Sequence, residues 1–184
     1  GTIYRDAATG NFVVVHRGTE GIGSELVLDG ITDARMVAGR FNAQARDAIA
    51  LTRAAMRLAD GQFGSDGRPV EVTTTGHSLG GTLAQVTSHY FGIRGEAFNP
   101  YGAAELSLRI PEGGTLMINH VMAGDAVSAA GRHFGSVRVY ASANESEALS
   151  RHGYDNLRST REFCAPLAAA RGLQGSHSMH NFLP

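Results

Sequence analysis

Ser78 lies in "VEVTTTGHSLGGTLAQ", residues 70–85, flanked by two glycines as Gly76-x-Ser78-x-Gly80. A serine hydroxyl is a poor nucleophile by itself. It attacks a carbonyl only when a general base takes its proton and an acid holds that base in the right tautomer. The chain offers both kinds of partner downstream. Asp125 and Asp155 are the only aspartates after Ser78, six glutamates follow it, and His133, His152, His177 and His180 lie beyond Asp125. Serine, acid and histidine in that order would support acyl transfer from an ester.

In a chain with 24 glycines the bare pattern is weak evidence, so its setting decides. A β-branched run, "VEVTTT", precedes it and a helical run, "LGGTLAQVTSHYFG", follows. A nucleophile elbow needs that strand, sharp turn and helix. Gly76 and Gly80 lack the Cβ atoms that would clash around so tight a turn. Ser78 would stand at a helix N-terminus, where free N–H groups favour a developing oxyanion. The backbone N–H of Leu79 is the first donor expected there.

The elements that must position these residues follow from the pattern of apolar side chains. "TIYRD" and "FVVVHRG" flank a polar turn at Gly10 and predict an N-terminal hairpin. Residues 20–39 are punctuated by glycine and suit a mobile loop or a short lid helix. Phe41, Ala45, Ala48, Ile49, Thr52, Met56 and Ala59 recur at helical spacing, which predicts an amphipathic helix over 41–59. The elbow helix should bury Leu79, Leu83, Val86 and Tyr90. Strands are expected at "GEAFN", at 115–121 and at 136–141. Residues 142–176 read as polar and irregular, with one short helix near 160–170. Strands alternating with helices imply a mostly parallel α/β sheet. Asp125 then falls just past a strand end, the edge where open parallel sheets build their sites. Asp155 sits in the polar "RHGYDN" and reads as solvated.

Composition bounds the rest. The 184 residues suit a single domain over 1–184. Hydrophobic residues make up 42% and charged residues 18%, as in a globular chain. Net charge is −1, with no basic excess to bind nucleic acid. No apolar run approaches the roughly 18 residues of a transmembrane segment. Cys164 is the only cysteine, so no intramolecular disulfide can form. Gly1, not Met, opens the chain, as expected for a catalytic domain taken from a longer protein.

"TGHSLGGTLA" together with the upstream "FVVVHRGTE" resembles the class 3 lipases of the α/β-hydrolase fold, which include fungal triacylglycerol lipases and plant phospholipases A1. The resemblance spans residues 3 to about 140 and the C-terminal tail. "GITDA" agrees only in part, since the chain has no tryptophan, whereas Phe98, Pro100 and Gly102 of "FNPYG" agree. It implies that Thr19, after the buried strand, supplies the second oxyanion donor. It also implies Asp125 as the acid and His177 as the base, because Phe182 and Leu183 follow at the spacing of bacterial and plant-type relatives. His180 is the runner-up. His177 and His180 stand three apart, but no carboxylate or cysteine cluster accompanies them, so no metal site is expected. His16, His89, His120 and His133 read as structural, and His77 as a lining residue.

The function so implied is a serine ester hydrolase releasing fatty acid from acyl lipids at a membrane or lipid interface, with no cofactor. The tail "HSMHNFL" also resembles the lipase domains of secreted bacterial antibacterial phospholipase effectors, which implies delivery outside the producing cell. A soluble-ester or thioester hydrolase is the alternative, and an inactive hydrolase fold used for binding is a third.

Overall fold

The computed structural model describes residues 1–18, 34–106, 108–151 and 174–183; of 34–43, 105 and 174 it describes the backbone alone. Six strands form one sheet in chain order: β1 (Thr2–Arg5), β2 (Phe12–His16), β3 (Val72–His77), β4 (Gly95–Phe98), β5 (Gly113–Met122) and β6 (Phe134–Tyr140). β1 pairs antiparallel with β2, and every later neighbour is parallel. The chain therefore has a mostly parallel mixed sheet with flanking helices, an α/β fold.

Among the described residues four α-helices accompany the strands: α1 (Ala34–Ala59), α2 (Leu79–Phe91), the single turn α3 (Ala126–Ala129) and, after β6, α4 (Ala143–Arg151). α1 starts earlier than the sequence pattern predicts. Gly39 looks like a stop, yet one glycine costs a helix only about 1 kcal/mol. The rest of 20–39, residues 20–33, lies outside the described residues.

β2 and β3 alternate between buried and half-buried residues. Val14 and Val72 pack with Ala55 and Ala59 of α1. Ala97 of β4 and Met117 of β5 pack with Leu79, Leu83, Ala84 and Val86 of α2 and with Ala45 and Ala48 of α1. α2 is buried through all of Leu79–Ser88, sandwiched between the sheet and α1. Alanines at the α1 contact let the two helices approach closely. Tyr90 departs from the expected apolar face and is 55% exposed, because the last turn of α2 emerges into solvent.

α4 corrects the reading of 142–176 as irregular at its start. Ser142 and Glu145 form a reciprocal capping box. Glu145 N–H donates to Ser142 Oγ (3.2 Å), and Ser142 N–H donates to Glu145 Oε2 (2.9 Å). With two backbone donors satisfied, helix formers in "ANESEALSR" propagate the turn despite their polarity. The short helix expected near 160–170 lies outside the described residues.

Parallel strands end along one edge. Gly18 after β2, Ser78 after β3, Asn99 after β4 and Asp125 after β5 all fall there.

Candidate active site

Ser78 sits between β3 and α2 with φ 57° and ψ −128°, a left-handed conformation that a non-glycine residue rarely adopts. Such a residue costs about 1–3 kcal/mol and persists only where its surroundings hold it. Here Ser78 N–H donates to Phe98 O (3.0 Å), and Ser78 O accepts from Thr82 N–H (3.1 Å). The two glycines are required by space. A Cβ on Gly76 would lie 2.4 Å from the carbonyl carbon of Gly80, and one on Gly80 would lie 2.2 Å from His16 O. Leu79 is the first residue of α2, so its N–H has no acceptor within the helix. Thr19 lies outside the described residues.

His177 closes the 3₁₀ turn Gln174–His177 near the end of the chain. Its Nε2 lies 2.9 Å from Ser78 Oγ, and its Nδ1 lies 3.0 Å from Asp125 Oδ1. A carboxylate can only accept, so Nδ1–H donates to Asp125 and Nε2 is left free to accept from the Ser78 hydroxyl. That is the tautomer a general base needs. The imidazole keeps only 13% of its surface exposed, and the Asp125 carboxylate none.

Asp125 also serves as the N-cap of α3. Its oxygens accept from Val127 N–H (3.1 Å), Ser128 N–H (3.3 Å) and Ser128 Oγ–H (2.5 Å). One side chain thus both caps this turn and meets the His177 ring. Bonds of this kind fix the orientation of the carboxylate. His133 supports the same turn from below, donating from Nε2 to Ser128 O (3.0 Å). Burial pushes its pKa down.

The other histidines are placed elsewhere. His180 is exposed, and its Nδ1 lies 3.3 Å from Ser178 Oγ. His120 is buried, with Nδ1 2.8 Å from Tyr140 Oη and its ring stacked on Phe98. His89 meets the ring of Phe134 edge-on. His77 lies against His177, ring centroids 4.9 Å apart, and donates from Nε2 to the His177 backbone oxygen (2.7 Å). Burial, the largest influence, lowers its pKa, which keeps a second positive charge away from His177. His152 and Asp155 lie outside the described residues.

Against known protein families, curated proteins and solved structures, the chain has no match.

Three residues that sequence reasoning passed over bear directly on the site. Glu145 is buried, and its Oε1 accepts from Ser176 Oγ–H beside His177. Asn181 Nδ2 donates to the carbonyls of Gly175, Ser176 and Ser178 and so ties the turn that carries His177. Asn99 bonds both to Ser176 and to the strand end before Asp125. Ser142-x-x-Glu145 was a readable signal for the helix start, whereas nothing in sequence spacing marks Asn99 or Asn181. Among the described residues no three His, Cys, Asp or Glu side chains cluster as metal ligands would. No described helix is long and apolar enough to cross a membrane.

His16 lies beneath the elbow, fully buried, with Nε2 3.2 Å from Thr87 Oγ1. Burial pushes its pKa from 6.5 down to about 4. The unfolded chain therefore binds a proton that the folded one refuses between those values. Stability is full above pH 6.5 and is lost as pH falls toward 4, by on the order of 3 kcal/mol from this group. His77 and His133 act in the same direction. Urea unfolding at pH 7 and pH 4.5 should show this loss, and His16→Gln should make it smaller. Equal losses in the two proteins would contradict the assignment.

Proposed function

We propose that this chain is a serine carboxylic-ester hydrolase of the α/β-hydrolase fold, with its first two strands as the leading hairpin, similar to class 3 lipases. The observation that carries the reading is the continuous relay from Ser78 Oγ to His177 Nε2 (2.9 Å) and from His177 Nδ1 to Asp125 Oδ1 (3.0 Å). It starts at a strained serine on a strand-to-helix turn. Ser78 passes its proton to His177 as Oγ attacks the ester carbonyl, and Asp125 steadies the imidazolium. The tetrahedral oxyanion is held by Leu79 N–H, with Thr19 N–H as the second donor. Collapse breaks the ester C–O bond, and His177 gives its proton to the departing alcohol. Water, deprotonated by His177, then cleaves the acyl-enzyme and releases the carboxylic acid.

Acyl lipids are the proposed substrates, and no cofactor takes part. Among the described residues, a cavity of about 640 Å³ opens beside Gly18, next to the elbow, and its wall mixes Ala48, Leu51 and Leu83 with the polar Arg17, Gln44 and Asp47. Its apolar part is surface that an acyl chain could cover.

Fatty-acid release from a short-chain phospholipid, followed as its concentration rises from monomer to micelle, tests the substrate class. A rise in rate at the onset of aggregation is expected. A rate that saturates below aggregation would replace the lipid reading with a soluble-ester hydrolase. Absence of turnover, and of labelling by a fluorophosphonate, would leave a binding module.

A further inference from the structure

Asn99 follows β4 and is fully buried. Its φ is 43°, left-handed, which asparagine tolerates better than most residues. Its side-chain amide and its backbone N–H are engaged, and three bonds at this position lead toward the three members of the relay. The peptide joining Phe98 to Asn99 presents Phe98 O to the N–H of Ser78 (3.0 Å). Asn99 Oδ1 accepts from Met122 N–H (2.9 Å), and Met122 O accepts from Asp125 N–H (3.0 Å). Asn99 Nδ2 donates to Ser176 O (2.7 Å), the carbonyl of the peptide that runs into His177. The residue's own N–H donates to His120 O (2.8 Å), which pins it to β5.

We infer that Asn99 is the positioning residue that sets the separation of nucleophile, acid and base. It touches none of the reacting atoms. It links the three chain segments that carry them, which lie far apart in sequence and share no secondary-structure element. The base needs such a link most. His177 ends a single 3₁₀ turn, a short element with poor hydrogen-bond geometry; Asn181, Glu145 and His77 tie that turn as well, but of these side chains only Asn99 bonds it to the end of β5. A buried amide, donating on one side and accepting on the other, can fix the gap between the turn and the end of β5. A carboxylate could only accept, and a hydroxyl would have to reach both partners from a single oxygen. The left-handed φ brings the side chain into the space between the two segments.

The inference rests on the hydrolase reading, and its test separates the two. The probe is a fluorophosphonate, with the rate measured per reactive site. Asn99→Asp keeps the acceptor for Met122 N–H and sets an oxygen against Ser176 O. Asn99→Gly keeps the backbone conformation and removes both side-chain bonds. Both variants should keep the wild-type far-ultraviolet circular dichroism and react about 100-fold more slowly, the effect of a displacement near 1 Å. The acidic limb of the pH–rate profile should move, and the downfield proton resonance of the His177–Asp125 hydrogen bond should be lost. A merely structural role would change melting temperature and leave the profile and the resonance alone. Wild-type rate and profile in Asn99→Asp would overturn the inference. So would loss of the folded state in Asn99→Gly, since Asn99 would then be a residue of the core. No reaction by the wild-type protein would instead overturn the hydrolase reading beneath it.

Discussion

Replacing His177 with alanine is expected to lower ester turnover by on the order of 10⁴-fold or more, while His180→Ala changes it less than about twofold. The imidazole of His177 is the only described base within hydrogen-bond reach of Ser78 Oγ, at 2.9 Å. Without it the hydroxyl must lose its proton to water, and only the oxyanion donors and substrate binding remain to speed the reaction. His180 is exposed, and its ring Nδ1 lies against Ser178 Oγ. Its removal leaves the relay intact. Initial rates with a soluble chromogenic ester measure both variants. Retained turnover in His177→Ala with loss in His180→Ala would reverse the assignment of the base.

Asp125→Asn is expected to cost about 10⁴-fold in turnover, with the protein still folded. Four donors converge on this carboxylate: His177 Nδ1–H, Val127 N–H, Ser128 N–H and Ser128 Oγ–H. An amide carries one acceptor and one donor in place of two acceptors. Turned one way, its NH₂ meets the N–H of Ser128. Turned the other way, it meets Val127 N–H and Nδ1 of His177, and forces the imidazole into the tautomer with the proton on Nε2. That tautomer cannot accept from Ser78. The misplaced donor should also lower stability by about 1–3 kcal/mol, because Asp125 is buried. Thermal unfolding and turnover on one preparation separate the two effects. Turnover within tenfold of wild type would remove Asp125 from the relay.

The strand-and-helix framework was legible because its signals are local. Val72–Thr75 is β-branched, the runs around Val14 and Met117 are apolar, and glycine stands where the elbow has no room for a Cβ. Asp125 could be picked out by its place at a strand end, which is again local. His177 could not. Four histidines followed Asp125, and only a resemblance in the tail spacing favoured one of them. What brings His177 to Ser78 is a contact across 99 positions. Asn99 and Ser176 meet across 77 positions, and Ser176 and Glu145 across 31. No periodicity or spacing encodes such meetings. Polar residues at 142–151 misled for the opposite reason: the capping box of Ser142 and Glu145 was there, and polarity was given more weight. Tyr90 fitted a helical stripe, but a stripe does not say where the neighbouring sheet ends.

The most direct measurement is incubation with a fluorophosphonate, followed by intact-mass analysis and peptide mapping. The expected result is one adduct per chain, carried by the peptide containing Ser78, absent from Ser78→Ala and strongly slowed in His177→Ala. No adduct on the wild-type protein, or an equal adduct on Ser78→Ala, would contradict the assignment of Ser78 as an activated nucleophile.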